Sequence, residues 1–360
     1  MLIEDFKLEK WIRKYENITK YDISQTCVQP FSLKELEEFC GEEADLKTVK
    51  LGYGSVFGTE NLKAAICNLY ENANHENITV TLGGIGANQL ALRTFINNGD
   101  KVVCVVPCYQ QIYTLPNTYG AEVVLTDIEY LEKDAIDAKL ICLVNPNNPT
   151  GTNLSELEVS RIIEIARKNG AYLFVDEAYR GLNHDGNPYS KSFFDLYEKT
   201  IVTGSMSKAY SLAGLRLGWI VANEKFINEV NTNRDYNTLS ISAIDDAVAT
   251  LALKNHEKIV KRNVKILNDN KKIVKEFLNK IRYSWIEPNA GTICCINYNS
   301  KLNSSDFCEK IVKDTGVLLV PATVFDCAKE HFFRIGLGMD STLMQTGLNK
   351  LVDYILNDIS

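Results

Sequence analysis

The sequence predicts an α/β protein with a mostly parallel sheet and a second, smaller unit, and three observations carry that prediction. Between residues 78 and 222, short runs rich in Val, Ile, Leu and Thr alternate with longer stretches of helical periodicity, the order that sets crossover helices between parallel strands. The runs are apolar at consecutive positions, as in a sheet covered on both faces. At 360 residues, 45% hydrophobic and 24% charged, the chain has material for about two domains and the composition of a folded globular protein.

The elements follow in order. Strands are expected at 78–82, 101–107, 122–126, 140–145, 172–176 and 200–203. Between them, 87–96 and 155–168 show apolar residues three and four apart, and Ser155 with Glu158 fits a capping box at the start of the second. Beyond Tyr189 the punctuation changes: no proline falls between Pro188 and Pro288, and 242–280 reads as one long helix rich in Lys, Val, Ile and Leu. A strand at 291–298, a helix at 305–315, strands at 317–321 and 332–336 and an amphipathic helix at 341–356 then make a smaller α+β unit. The first 40 or so residues join it, and no repeat or linker marks a separable module.

Charge and rare residues narrow the function. With 39 basic against 46 acidic residues, a net −7, and no Lys/Arg-rich run, the chain is not expected to bind nucleic acid; a small molecule is the expected partner. Residues 1–20 alternate apolar with charged side chains and hold no signal-peptide core, which points to the cytoplasm. The ten cysteines, at 27, 40, 67, 104, 108, 142, 294, 295, 308 and 327, form no C-x-x-C pair and are expected to be thiols that pack as small core residues. The four histidines, at 75, 184, 256 and 331, have no ligand spacing, and no apolar run approaches the roughly 18 residues of a membrane span; neither a metal nor a membrane is expected.

Ligands of open α/β sheets bind beyond the carboxyl ends of the strands, so the residues there matter most. After Leu82 comes Gly83-Gly84-Ile85-Gly86, entering a helix: either a tight turn or a phosphate cradle of backbone N–H groups, though Gln89 breaks the dinucleotide G-x-G-x-x-G pattern. After strand 140–145, Pro146-Asn147-Asn148-Pro149-Thr150-Gly151 locks a turn that presents a carboxamide. Strand 172–176 ends in Asp176-Glu177-Ala178-Tyr179, a carboxylate that is either an N-cap or a site residue. Strand 200–203 leads into Gly204-Ser205-Met206-Ser207-Lys208, with Arg216 eight residues on. A lone lysine is ordinarily a solvated cation, but Lys208 lies among Ser, Ala and Leu. An amine attacks a carbonyl only when unprotonated, which a sheltered place near a second cation such as Arg216 favours.

Taken together these motifs resemble the class I/II aminotransferases, which are fold-type-I pyridoxal 5′-phosphate (PLP) enzymes. The match runs from Tyr53-Gly54 through Gly83-Gly84, Pro107-Cys108-Tyr109, Asn148-Pro149-Thr150-Gly151, Asp176-Glu177-Ala178-Tyr179, Ser205-Met206-Ser207-Lys208 and Arg216 to Phe333-Arg334-Ile335, nearly the whole chain in the family's order. The resemblance implies a large PLP-binding domain, 45–241, on a mostly parallel seven-stranded sheet. It implies a small domain made from both chain ends, 1–44 and 242–360, and a homodimer with active sites at its interface.

By position, Lys208 resembles the lysine that holds PLP as a Schiff base, and Asp176 the carboxylate that keeps the ring nitrogen protonated as an electron sink. Asn148 and Tyr179 resemble partners of the ring's phenolate oxygen, and Tyr109 the aromatic stacked on the ring. Gly83, Gly84, Ile85, Ser205, Ser207 and Arg216 match the phosphate site, which Tyr53 is implied to reach from the other subunit. Arg334 resembles the clamp on the substrate α-carboxylate. The implied activity is ping-pong transfer of an amino group from an L-amino acid to a 2-oxo acid.

Three alternatives remain open. The stretch Ile23-Ser24-Gln25-Thr26-Cys27-Val28-Gln29-Pro30-Phe31-Ser32-Leu33 resembles the opening of a subgroup that includes capreomycidine synthase and PLP-dependent arginine oxidases. It implies a guanidinium substrate, with Glu16 and Asp185 as candidate acidic partners. The Lys208-to-Arg216 stretch also resembles histidinol-phosphate aminotransferases and threonine-phosphate decarboxylase, hence a phosphorylated substrate. Outside the enzymes, an aminotransferase-like sensor of a transcription regulator would need a helix-turn-helix module ahead of Tyr53, for which the chain has only about 50 residues.

Overall fold

The computed structural model describes residues 3–326 and 331–358, so Cys327 lies outside the described residues. Seven strands form the main sheet: β1 Ile78–Leu82, β2 Lys101–Val105, β3 Glu122–Thr126, β4 Leu140–Val144, β5 Tyr172–Asp176, β6 Thr200–Ser205 and β7 Leu217–Val221, in the spatial order β1-β7-β6-β5-β4-β2-β3. All neighbours run parallel except β7, which is antiparallel to both β1 and β6. The chain is therefore α/β with a mostly parallel seven-stranded sheet. Strand β7 is absent from the six runs named above: it begins just after Arg216, where Gly218 and Trp219 interrupt the aliphatic pattern.

Successive side chains alternate between the sheet's faces, and each face is covered. Val103, Ile141, Leu143, Leu173, Val175 and Val202 belong to one buried cluster, whereas Val102, Cys104, Leu140, Cys142, Phe174 and Ile201 belong to the other. The described cysteines are free thiols, and Cys40, Cys104, Cys108, Cys142, Cys294 and Cys308 are buried.

The helices used below are α1 Lys7–Tyr15, α2 Gly83–Phe95, α3 Glu156–Asn169, α4 Glu224–Arg234, α5 Ala243–Lys254, α6 His256–Ile281, α7 Ser304–Thr315 and α8 Ser341–Asp358. Helix α2 starts four residues before the periodicity does, because Gly83 adopts φ +73°, a left-handed conformation, and turns β1 directly into the helix. Helix α3 has the capping box the sequence indicates, with Ser155 and Glu158 each bonding the other's backbone N–H. The single helix expected over 242–280 is two. At Asn255 (φ −108°, ψ 21°) the chain leaves helical geometry, and the Asn255 side chain bonds back to the Leu251 carbonyl at 3.1 Å, competing with the backbone ladder.

Beyond α6 an antiparallel sheet orders Val320–Pro321, β9 Phe332–Gly336, β8 Ile293–Asn297 and Ser284–Trp285. The strand expected over 317–321 is split: Val317–Leu318 pairs instead with Tyr21–Asp22 in a separate parallel ribbon. That ribbon ties the amino-terminal segment to the carboxy-terminal half. Helix α1 adds to it, with Trp11 Nε1 donating to the Leu319 carbonyl at 2.8 Å. Among the described residues no helix is long and apolar enough to cross a membrane.

Candidate active site

Parallel pairing sets Val144, Asp176 and Thr203 side by side at the carboxyl ends of β4, β5 and β6. Val144 and Asp176 line a cavity of about 550 Å³ whose wall also takes Tyr109, Asn148, Tyr179, Ser205, Ser207, Lys208, Arg216 and Arg334, with Gly84 and Ile85 from the first turn of α2. Every predicted site residue except Gly83 and Tyr53 lines it. Gly83 is the residue just before Gly84. Tyr53 is 87% exposed and outside it.

Asp176 is 7% exposed, with Oδ2 accepting from Asn88 Nδ2 at 2.8 Å and Oδ1 from the Ala178 N–H at 2.9 Å. Burial pushes its pKa up, and those two hydrogen bonds together with the Lys208 charge oppose the rise. Asn88 is fixed in turn: its Oδ1 accepts from Thr203 Oγ1 at 2.6 Å, and its Nδ2 also donates to Gln111 Oε1 at 3.1 Å. Asn88 is not legible in the sequence, because a single Asn within helical periodicity carries no signal of its contacts.

Lys208 follows β6. Its Nζ donates to Thr26 Oγ1 at 2.6 Å and lies 3.5 Å from Cys27 Sγ. The turn after it is held by α6, where Asn263 Nδ2 donates to the Ala209 carbonyl and to Ser211 Oγ, both at 2.9 Å. Thr26 belongs to the amino-terminal segment, 182 residues away along the chain, and only its place in the short Ile23-to-Leu33 motif hints at a role.

Arg334, in β9, is fully buried. Nη1 donates to Asn148 Oδ1 at 3.1 Å and Nη2 to the Ser24 carbonyl at 3.3 Å, while Nε has no hydrogen-bond partner among the described residues. Among the described residues no carboxylate pairs with it, and burial pulls its pKa down. A buried guanidinium held only by neutral oxygens is poised for an anion.

Also in the cavity lining, Ser205 Oγ donates to Ser207 Oγ at 3.0 Å and accepts from the Ser207 N–H at 3.1 Å. A Cβ on Gly84 would stand 3.1 Å from the Ser205 Cβ, and one on Gly83 2.8 Å from Arg216 Nη2, so glycines keep this end of the cavity open. Two hydroxyls, free helix N–H groups and a guanidinium suit a phosphate dianion. Tyr109 is held by a tilted contact with Phe6 at a centroid distance of 5.1 Å, and burial pushes its phenol pKa up.

The two proposed acidic partners of a guanidinium are elsewhere. Glu16 is the exposed residue after the last turn of α1, and Asp185 is exposed in its loop; neither lines the cavity. The acidic residues that do, besides Asp176, are Glu9 and Asp22. Glu9 is seven residues before Glu16, on the same helix face and roughly 10 Å away along the helix axis. Asp22 Oδ1 accepts from the Ser24 N–H at 3.0 Å and from Ser24 Oγ at 2.7 Å.

The chain matches the family model of the class I and II aminotransferases over residues 17–351. It is 32% identical to a PLP-dependent aminotransferase of Streptococcus suis 89-1591, whose crystal structure superposes with a TM-score of 0.94 over 100% of both chains. It is 27% identical to capreomycidine synthase of Streptomyces vinaceus, covering 95% of this chain and 91% of that one. The structure of the PLP-dependent cyclase OrfR, 24% identical, has the same fold at a TM-score of 0.91 over 99% and 98% of the two chains. With its mixed seven-stranded sheet and a cavity built on Lys208, Asp176 and Arg334, the chain belongs to the class I and II aminotransferase family of fold-type-I PLP enzymes.

Proposed function

We propose that this enzyme moves the amino group of an L-amino acid to a 2-oxo acid in two half-reactions that share one cavity. The observation that carries the reading is Arg334, a buried cation with no carboxylate partner among the described residues, in the same wall as Lys208 and Asp176. It binds the α-carboxylate common to amino and oxo acids, and so aims Cα at the lysine. PLP, when bound, supplies a protonated pyridine ring that withdraws electrons from the substrate Cα.

The residues fit that cofactor end to end. Ser205, Ser207, Arg216 and the N–H groups from Gly83 to Ile85 take the phosphate. Asp176 would pair with the ring nitrogen: burial disfavours its charge, and a pyridinium N–H would be the partner that restores it. Tyr109 would stack on the ring, and Asn148 and Tyr179 would bond its phenolate oxygen. Asn148 can do so because its Oδ1 is taken by Arg334 while its amide nitrogen donates to none of the described residues. Lys208 would hold the cofactor covalently, and its Nζ, which donates to Thr26 Oγ1, would be the base for the substrate Cα proton.

Tyr53, with Leu51 88% exposed beside it, reaches the phosphate site of a second copy in a cytoplasmic homodimer. Support for this comes from the exposed aromatic residue itself, which has no packing role in one chain.

A second reading is favoured by Glu9 and Asp22. Neither forms an ion pair among the described residues, and both line the cavity that Arg334 closes. A substrate whose side chain is cationic, such as an arginine derivative, suits them. A relative named capreomycidine synthase and a neighbour named a PLP-dependent cyclase support this reading, in which the product is cyclised or oxidised rather than transaminated.

A panel of amino acids decides between the two, each assayed with 2-oxo acids and for oxygen uptake. Transfer to an oxo acid, with parallel lines in double-reciprocal plots, is expected. Oxygen consumption or cyclised product from a basic amino acid without any transfer overturns aminotransfer in favour of the second reading.

A further inference from the structure

A second cavity, of about 220 Å³, abuts the first and shares Ile85 with it. Arg234, the last residue of α4, lines it together with Thr81, Gln89, Asn237 and Thr238. Arg234 is 1% exposed, and its Nε and Nη2 have no hydrogen-bond partner among the described residues. Nη1 has a single weak contact, to Thr79 Oγ1 at 3.4 Å. Among the described residues no carboxylate forms an ion pair with it, and burial, opposed by the charge of Asp235, pulls its pKa down to about 10. The Phe57 ring, 5.6 Å from Cζ, supplies a cation–π contact and no hydrogen-bond acceptor.

Folded proteins rarely leave a buried guanidinium in this state, because its desolvation is recovered only by a charged or well-bonded acceptor. The shortage here is of acceptors for at least two N–H-bearing atoms on one edge of a planar fork, and the group that satisfies such an edge is a bidentate oxyanion. The neighbourhood agrees. Gln89 and Asn237 are exposed amides and Thr238 a half-buried hydroxyl, all neutral donors, and no acidic side chain lines the cavity.

We propose that this cavity is an oxyanion site, for a carboxylate or phosphate group, with Arg234 as its cation. It is separate from the phosphate end of the active-site cavity, which uses Ser205, Ser207 and Arg216 and lies on the other side of the first turn of α2. Two sources can supply the anion. One is a solute. The other is an acidic side chain of a second copy, for which the exposed Leu82 and Ile85 in the cavity wall and Tyr236 and Leu239 in the adjoining loop offer an apolar surround.

The test uses the PLP-loaded protein, so that the active-site phosphate groups are already engaged. Wild type, Arg234→Gln, Arg234→Lys and Thr238→Val are titrated calorimetrically with inorganic phosphate and with acetate, and their self-association is followed by sedimentation. Saturable binding at one site per chain, weakened at least tenfold in Arg234→Gln and in Thr238→Val, supports the site with a solute anion. Absent such binding, self-association weakened at least tenfold by Arg234→Gln and partly restored by Arg234→Lys supports it with the second copy as the source. If Arg234→Gln does not fold, Arg234→Lys and Thr238→Val carry the same comparisons. Anion binding and self-association that are both indifferent to these substitutions overturn the proposal.

Discussion

Arg334 and Asn88 do different work in the same cavity, and each makes a prediction about a single side chain. Arg334 presents an N–H fork from a rigid strand, which a lysine's point charge cannot reproduce. Arg334→Lys is expected to raise KM for the amino donor by about 100-fold, in line with the roughly 2–5 kcal/mol lost when one member of a buried charge pair is cut back. The cofactor's absorbance should stay unchanged; steady-state kinetics and a spectrum check both, and an unaltered KM moves the carboxylate clamp elsewhere. Asn88 instead supports Asp176. Asn88→Ala strips hydrogen bonds from Asp176 Oδ2, Thr203 Oγ1 and Gln111 Oε1 at once. Leaving such groups unsatisfied costs on the order of 1–3 kcal/mol, so a denaturant melt should show that loss, together with weaker cofactor retention as the Asp176 pKa rises further. Melting and cofactor affinity equal to wild type would contradict the support role. Lys208, Asp176 and Arg334 are legible in the sequence because each sits in a contiguous motif, at or just past a strand end for Asp176 and Lys208 and within β9 for Arg334. Asn88 and Thr26 are not, because their meaning lies in contacts across 88 and 182 residues.

At the scale of elements, the small sheet and the amino-terminal loop are fitted backbone to backbone. The Gly336 N–H donates to the Ile23 carbonyl at 2.8 Å, and a Cβ on Gly336 would collide with the Gln25 carbonyl. Thr292 Oγ1 adds a 2.7 Å bond to the Thr26 carbonyl from β8's side. The loop so clamped carries both the Ser24 carbonyl that receives Arg334 and the Thr26 hydroxyl that receives Lys208. Gly336→Ala is therefore expected to push the loop off the sheet, costing about 1–3 kcal/mol as an overpacked site does and lowering kcat along with affinity, because both site residues lose a partner together. Thermal unfolding and kinetics measure this; a variant with full activity would show that the clamp is dispensable. The strands here were legible from aliphatic runs and the loop was not, since a close approach of two backbones leaves only a glycine behind. The same limit hid β7, with Gly218 and Trp219 in its middle, and the break at Asn255, where one side chain outcompetes a pattern that runs unbroken on either side.

For the whole molecule, the sheet that positions Asp176 also buries the carboxylate next to it, and this couples stability to pH. Glu177 is 4% exposed and points to the other side of the strand end, where its carboxylate accepts from Ser192 Oγ at 2.9 Å and from the Phe193 N–H at 2.9 Å. Arg180 Nε is 3.8 Å away. Burial outweighs these contacts and pushes the Glu177 pKa up to about 7 from an ordinary value of 4.5. The folded chain then holds this proton more tightly than the unfolded one. Its stabilising contribution is full below about pH 4.5 and is lost as the pH rises through about 7, at most about 3 kcal/mol from the shift. Glu177→Gln keeps an acceptor for Ser192 and cannot ionise. The stability of wild type relative to this variant should accordingly fall between pH 5 and pH 8, read from denaturant midpoints at a constant slope. Asp176, likewise raised by burial, contributes a fall in the same direction in both proteins and cancels in the comparison. A difference that is flat with pH would mean that Arg180 and the two donors hold Glu177 ionised throughout, and that the cost of its burial is met within the fold.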